Sequence, residues 1–372
     1  MKHIVIVGGS FAGVSTAHRF LKNANKSMTT PYKVTLVSRD SHFFWNIAAS
    51  RALIPGQIPD EKLFQPITGG FAQYGNKFEF ILGTATGVDV DGKRLVVIDA
   101  EGNETRIGYD YLVLGAGSQT KVDGPFKSSG STEALRERLH DFQKWVKDAT
   151  SVVIVGAGPT GIETAGELAF EYGKSKEITL ISSGPTVLEN RPASVSKTAL
   201  GQLETLGVQV KFNTKVKEPV QLPNGKQELI LSGGERLLAD LYIPTFGVLP
   251  NSSFVPSQFL DSSGFIKVDE YLSVEGAEGV FAIGDVSNVE APQFWFVEKQ
   301  STHMAKNLVL AVSGKPPVPY KASTTGLMGI HIGKKSGTGH FGNVKVPSFL
   351  VSMIRKTLFI ENLSRTVDGS ML

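Results

Sequence analysis

The stretch Val152-Val153-Ile154-Val155-Gly156-Ala157-Gly158-Pro159-Thr160-Gly161-Ile162-Glu163 decides the fold. Four consecutive β-branched aliphatic residues read as a strand buried on both faces. The glycines at 156, 158 and 161 then read as a tight strand-to-helix turn, with the helix running to about Tyr172 and a second strand at Glu177 to Ile181. Each glycine has a physical reason. The first permits the turn, the second lets backbone approach a pyrophosphate, and the third lets helix pack close to strand. The pyrophosphate then rests on the free N–H groups and positive end of the helix.

The same design stands at the start of the chain. Ile4-Val5-Ile6-Val7 leads into Gly8-Gly9-Ser10-Phe11-Ala12-Gly13, a helix over Val14 to Leu21 and a strand over Lys33 to Val37. Ser10 holds the middle glycine position; it is small and can donate a hydrogen bond. After each unit come β-rich segments with a hairpin signal, Asp91-Gly92 and then Asn224-Gly225. Each closes on a strand and glycine: Tyr109 to Gly117, then Ala239 to Gly247. The copies are offset by 148 residues at Gly8/Gly156 and by 130 at Asp110/Asp240, so the first carries extra chain, assigned to His42 to Gly70. A third block, Gly279-Val280-Phe281-Ala282-Ile283-Gly284-Asp285, is a strand ending in Gly-Asp, with a helix expected over about Phe296 to Val312. The fold class expected is α/β: two Rossmann-like dinucleotide-binding domains plus a small C-terminal domain. One dinucleotide domain is discontinuous (1–120 and 248–320), the second is inserted in it (121–247), and 321–372 follow a Pro-rich link.

Composition narrows the function. The 372 residues, 41% hydrophobic with 22 Phe, supply a full core, and division by about 150 residues per domain gives two to three domains. Glycine accounts for 40 residues, above the average usage of about 7%, without a collagen-like period. The absence of Cys excludes a disulfide scaffold, a thiolate metal centre and a dithiol relay within this chain. A net charge of +3 is too small to point to nucleic acid. No apolar run reaches the roughly 18 residues of a membrane span. Met1-Lys2-His3 lacks the long apolar stretch of a signal peptide, and Lys2 excludes myristoylation. His303, His331 and His340 lack metal-ligand spacing, so no metal is assigned. A cytoplasmic protein is the expectation, with membrane-peripheral or mitochondrion-associated placement as the alternative.

The chain resembles the two-dinucleotide-binding-domain flavoproteins of the pyridine nucleotide-disulfide oxidoreductase type, over residues 1 to about 320. Within them it is most similar to the apoptosis-inducing-factor-like branch that includes ferroptosis suppressor protein and type II NADH dehydrogenases. The residues that carry this are Phe44 to Ala52, Asp110 to Gly117, Asn251-Ser252-Ser253 and Ala282 to Asp285; Thr325 to Ile330 and Gly337 to Gly339 carry it less specifically. The resemblance implies FAD in the first domain and NADPH or NADH in the second. FAD pyrophosphate would lie on Gly8, Gly9, Ser10, Phe11, Ala12 and Gly13. Ala116 and Gly117 would lie at the same site, with Gly284 leading into Asp285, which would hold the ribityl chain; Asp285 could also cap a helix. Arg51 would face the flavin and Ala85 the adenine. The pyridine nucleotide would lie on Gly156, Gly158, Pro159, Thr160 and Gly161, passing close to Gly247.

Two positions depart from the pattern. Ser38 replaces the acid expected at the end of the first unit's second strand, and Asp40, two residues on, is left without assured reach. In the second unit Ser182 or Ser183 stands at that place. An acid there would bind a ribose 2′-OH and repel a 2′-phosphate. Its absence leans the reading toward NADPH, with Arg191 either the phosphate partner or a solvated charge. Glu163 either positions the nicotinamide or is a first-turn carboxylate favoured by the helix dipole.

Hydride transfer between two aligned rings needs geometry more than acid or base. Without cysteines, electrons must pass to an external acceptor. Gln293-Phe294-Trp295-Phe296 either lines a flat acceptor slot or packs the core. Pro347 to Phe359 carries an apolar stripe of helical spacing, Phe349, Leu350, Met353, Ile354 and Leu358, beside Arg355 and Lys356. It would dock on a membrane, cover the core or form a homodimer contact. The expected activity is FAD-dependent NAD(P)H oxidation with a quinone-like small-molecule acceptor. A reductase of a protein redox partner and a signalling flavoprotein of weak turnover are the alternatives.

Overall fold

Ile4, Val5 and Ile6 are wholly buried, as a strand covered on both faces requires. In the computed structural model, which describes residues 1–372 with the side chain of Glu218 excepted, they lie in β1 (Lys2–Val7). Gly8 to Ser10 turn the chain into α1 (Phe11–Ser27), and β2 (Tyr32–Ser38) returns parallel to β1 with Ile4 opposite Val34. The extra chain follows: the hairpin of β3 (His42–Phe44) and β4 (Phe64–Pro66), with α2 (Ala49–Ala52) between its strands. It is core rather than surface loop, since Phe43, Trp45, Leu53 and Leu63 are fully buried.

Strand β5 (Phe78–Leu82) pairs with β2 and leads into an antiparallel meander of β6 (Thr84–Asp89), β7 (Arg94–Ile98) and β8 (Glu104–Gly108). Strand β9 (Tyr111–Leu114) then lies parallel to β1 on its other side. The chain crosses through β10 (Ser118–Thr120) and α3 (Thr132–Asp148) to the second unit. There β11 (Ser151–Val155), α4 (Pro159–Tyr172), β12 (Glu177–Ile181), α5 (Ala193–Thr205) and β13 (Gln209–Lys211) precede a second meander, β14 (Val216–Gln221), β15 (Gln227–Leu231) and β16 (Arg236–Ala239). Strand β17 (Leu241–Pro244) completes a parallel sheet in the order β13-β12-β11-β17. The return strand β18 (Val248–Pro250) pairs antiparallel with β10, so the two crossings run side by side. Strand β19 (Val280–Ala282) then joins the first sheet, whose order is β19-β9-β1-β2-β5.

The duplication extends to the strand starts. Asp110 accepts a hydrogen bond from the His3 backbone N–H at 2.8 Å, before β9. Asp240 does the same before β17, accepting from the backbone N–H groups of Thr150 and Ser151, both at 2.9 Å. Each carboxylate pins the first strand of its own unit in register with the last.

Helix α6 (Phe294–Val312) lies along α1, tied by the Glu298 carboxylate to Ser15 at 2.7 Å and Arg19 at 2.7 Å. The tail comprises β20 (Leu327–Ile332), β21 (Ser336–Phe341), β22 (Val344–Val346), α7 (Ser348–Ile354) and α8 (Leu363–Val367). Its buried side chains pack into the core of the two units. Ile330, Ile332, Leu358 and Val367 belong to the same buried cluster as Ile4 and Ile154. Gly166 of α4 allows that contact, because a Cβ there would stand 2.9 Å from the Ile332 Cα.

The Asp240 carboxyl is held far below the usual range, first by the Thr150 hydroxyl and then by backbone N–H groups. A depressed folded-state value stabilises the fold at pH above the unfolded value of about 3.9 and ceases to do so as pH falls from there toward the folded value. Replacing Asp240 by Asn should cost roughly 1–3 kcal/mol at neutral pH. In urea denaturation the gap to wild type should close below about pH 4. A gap unchanged into strong acid would contradict this assignment.

Candidate functional site

A cleft opens where β1 ends and α1 begins, and the sequence motif lines it. Gly8, Gly9, Ser10, Phe11 and Ala12 form its floor, Ser38, Arg39 and Asp40 one side, Ala85 one end, and Ala116, Gly117 and Asp285 the opposite side. The first turn of α1 holds no acidic residue, and the Ser10 hydroxyl makes no capping bond. The helix therefore presents uncommitted N–H groups and its positive end to the cleft.

The glycines differ in what they are for. A Cβ at Gly13 would stand 1.9 Å from the Gly8 carbonyl oxygen, and one at Gly161 1.8 Å from that of Gly156. Gly8 and Gly156 have φ near +118° and +112°. These four are dictated by the turn itself. Gly158, the middle glycine of the second loop, has no atom within 4 Å of such a Cβ. Nothing in the protein's own packing demands glycine at that position, which is why Ser10 fits at its counterpart in the first loop. Gly284, with φ of +74°, turns the chain so that its N–H meets Gln300 Oε1 at 2.6 Å and Asp285 enters the cleft.

Ser38 has a structural reason for replacing an acid. Its Oγ would lie 2.3 Å from a Cβ at Gly9, so a longer side chain in that pose would press on the glycine loop. It instead donates to the Asp40 carbonyl at 2.8 Å and accepts from the Asp40 N–H at 3.0 Å. That small turn brings Asp40 to the cleft wall, a correction to the expectation from spacing. Burial pushes the Asp40 carboxyl up, against a hydrogen bond from Ser128 Oγ at 2.8 Å. Lys127 was not legible from the motif. It arrives from the crossing segment, and its Nζ stands 2.7 Å from Asp285 Oδ2, which Ser118 Oγ also reaches at 2.8 Å. Uncapped helix N–H groups, Arg39, Lys127 and Asp285 together fit a phosphate-bearing dinucleotide with a polyol chain.

The second loop is similarly open. Gly158 is the N-cap of α4, Pro159 opens the helix, and its first turn is free of acids. At the end of β12, Ser182 is buried and donates to the Thr186 carbonyl at 2.9 Å, whereas Ser183 and Arg191 are exposed. An acid missed by the sequence reading stands here: a Cβ at Gly184 would lie 2.7 Å from Glu189 Oε2. Gly247 has φ of +74°, and a Cβ on it would stand 2.8 Å from the Lys121 Cβ. The geometry thus explains this glycine by the close crossing of two segments of the chain.

Arg51 does not line the cleft, contrary to expectation. Its guanidinium turns to α4, donating to Glu167 Oε1 at 3.0 and 2.6 Å, and to the Lys356 carbonyl at 2.9 Å. Glu163, one helical turn before Glu167, accepts from Arg355 at 2.8 Å. His331 of β20 stands between the two carboxylates, with Nδ1 3.1 Å from Glu163 and Nε2 3.1 Å from Glu167. Burial alone would push both carboxyls up and the imidazole down. The pairing outweighs it, so both glutamates sit below the ordinary carboxyl value and His331 above the ordinary imidazole value. Thus α2, α4 and the tail meet in one buried ionic cluster.

The aromatic segment divides. Phe294 packs edge-on against Phe11 with ring centroids 4.9 Å apart, Phe296 is buried, and Trp295 is exposed. Val297, one residue later, reaches the cleft wall. The tail helix is shorter than its apolar stripe suggested. α7 ends at Ile354, and Leu358 and Phe359 adopt φ of +53° and +57°. Val351 and Leu358 face the core, while Phe349, Met353 and Ile354 are exposed, as are Phe341 and Val344 of the adjoining hairpin. Among the described residues no helix is long and apolar enough to cross a membrane.

Comparison with known proteins agrees with this architecture. The chain is 74% identical to oxidoreductase ptaL of Pestalotiopsis fici, with all of both chains covered. It is 29% identical to human ferroptosis suppressor protein 1 over 99% of this chain and 96% of that one. Among solved structures, sulfide:quinone oxidoreductase from Aquifex aeolicus superposes with a TM-score of 0.80 at 18% identity, covering 99% of this chain and 92% of that one. NDH2 from Plasmodium falciparum in complex with NADH gives 0.79 at 17%, covering 99% and 97%. The family model for pyridine nucleotide-disulphide oxidoreductases matches residues 2–321. With two open glycine-loop helix ends in one chain, the protein belongs to that family and is a flavoprotein oxidoreductase that uses a pyridine nucleotide.

Proposed function

We propose that the protein is an FAD-dependent NAD(P)H:quinone-type oxidoreductase that passes electrons to its acceptor without a thiol relay. One observation carries this reading: a dinucleotide cleft and a second open glycine loop occur in a chain that contains no cysteine. FAD bound in the cleft would supply the hydride-accepting ring. The α1 N-terminus would hold its pyrophosphate, with Lys127 and Arg39 adding positive charge. Asp285, oriented by Ser118, would hold the ribityl hydroxyls, and Asp40 and Ala85 would meet the adenosine end. Gly156 to Gly161 would hold the pyridine nucleotide.

The rim of β12 bears on the coenzyme. No acid stands at the strand end, but the Glu189 carboxylate lies over Gly184 at the same edge. It can accept from a ribose hydroxyl and would repel a 2′-phosphate. The reading favoured by this contact is therefore NADH, against the lean toward NADPH that Arg191 suggested. Glu189→Arg should shift the ratio of kcat/KM for NADPH over NADH upward by at least roughly tenfold, about 1.4 kcal/mol. An unchanged ratio would remove Glu189 from coenzyme selection.

The exposed apolar tip formed by Phe341, Val344, Phe349, Met353 and Ile354 gives the acceptor a route. It would rest on a lipid surface in which a quinone is dissolved. Purified flavin-loaded protein should oxidise NADH rapidly with ubiquinone analogues and slowly with oxygen or ferredoxin. Anionic vesicles should lower KM for a long-chain quinone in wild type but not in the Phe349→Asp/Met353→Asp double variant. Reduction of ferredoxin with no quinone turnover would favour the protein-partner reading. A double variant that retains the vesicle effect would remove the tip from lipid contact.

A further inference from the structure

The ionic cluster between α2, α4 and the tail holds more than structural pairing requires. It contains two guanidinium groups, two carboxylates and an imidazole, with His331 2% and Glu167 0% exposed at their side chains. Arg51 and Arg355 already balance Glu163 and Glu167. A neutral side chain in place of His331 would leave the cluster uncharged, so a protonated His331 adds one positive charge that the pairing does not need. Its bonding is also incomplete. Nε2 is buried without an aligned hydrogen bond, and so is Glu167 Oε2. Nε2 is therefore held by the Glu167 charge at 3.1 Å, and Nδ1, 3.1 Å from Glu163 Oε1, is the nitrogen that faces the more open carboxylate.

The proposed reaction supplies a use for it. A nicotinamide C–H bond breaks and gives two electrons and one hydrogen nucleus. A quinone that becomes a quinol forms two O–H bonds, so NAD(P)H, quinone and one further proton yield NAD(P)⁺ and quinol. That second proton must come from water or from the protein.

We propose that His331 stores this second proton as an imidazolium and releases it through Glu163. The inference rests on the quinone reading given above. Glu163 is the fifth residue of α4, just past the glycine loop that would hold the pyridine nucleotide. Its Oε1 is 3.1 Å from His331 Nδ1, and its Oε2 is 3.5 Å from the hydroxyl of Ser50, in the helix that follows Asn46 of the cleft wall. Glu163 is also the more open carboxylate, at 11% against 0% for Glu167. The Nδ1–H proton passes to Glu163 and from its carboxyl to the reduced quinone oxygen, which restores the Glu163 carboxylate; the imidazole is left neutral, and solvent returns a proton to it in the next cycle. His331 is thus a positioning residue that acts through Glu163. The charged groups facing it are Glu163 and Glu167 from α4 and Arg355 beyond α7, whose Nη2 is 3.5 Å from Nδ1; Arg51 from α2 stands behind Glu167, paired with its Oε1.

The test measures quinone turnover against pH, with proton uptake followed by an indicator dye and the stability of the flavin-free chain followed by urea denaturation. In wild type, kcat should fall as pH rises through the His331 value, above about 6.5. His331→Gln should lower kcat at neutral pH by roughly a hundredfold and abolish that alkaline limb. Because a raised folded-state value stabilises at low pH and ceases to do so as pH rises through it, any stability lost in His331→Gln should shrink at alkaline pH. Arg355→Gln removes a neighbouring cation, so its limb should move to higher pH even where His331→Gln does not fold. A limb that persists in His331→Gln, or one unmoved in Arg355→Gln, would overturn the proposal. Wild type without quinone turnover would instead refute the functional reading on which it rests.

Discussion

The structure depends on one repeated contact, a helix brought against the strand before it with only glycine hydrogens between. At Gly13 and Gly8, and again at Gly161 and Gly156, a single methyl group would collide with a carbonyl oxygen at under 2 Å. This closeness aims the first N–H groups of α1 and α4 at the space beyond β1 and β11, where orphan donors and the helix dipole favour an anion. The parallel sheets position these turns. Asp110 and Asp240, at equivalent places, fix the register of the sheets from their far ends.

A second constraint joins the parts. Glu163 and Glu167, one turn apart on α4, are buried against Arg51 of the first unit and against His331 and Arg355 of the tail. Buried charges are costly unless their partners are in place, and removing one partner leaves the other exposed to a low dielectric. The tail is therefore tied to the second glycine helix by electrostatics as well as by the apolar cluster it shares with both units.

Local and periodic features were legible in the sequence. The strand–glycine–helix units, both hairpin turns, the strand β19 and the Asp285 turn all have signals within a dozen residues, because backbone sterics and strand burial act locally. What escaped reading depends on side chains brought together from distant segments. Arg51 could not be told from a cleft residue, because its partner Glu167 is 116 positions away. Lys127 enters the cleft only because the crossing segment folds back over it. Asp40 reached the wall through a turn made by Ser38, and the helix expected along the tail's apolar stripe ends at Ile354, before Leu358 and Phe359 take up positive φ. Gly247 looked like a ligand-binding glycine and is explained by a chain crossing; spacing alone does not separate those two reasons.

The central claim is that bound flavin is the only redox centre, receiving electrons from the pyridine nucleotide and delivering them directly to the acceptor. The absence of cysteine from the chain removes a thiol pair as a second centre. Anaerobic titration of the purified, flavin-loaded protein with NADH, followed through the flavin absorbance, tests it most directly. The account requires complete bleaching at one two-electron equivalent per bound flavin. Uptake of a second equivalent, or an absorbance that NADH and NADPH both leave unchanged, would contradict it.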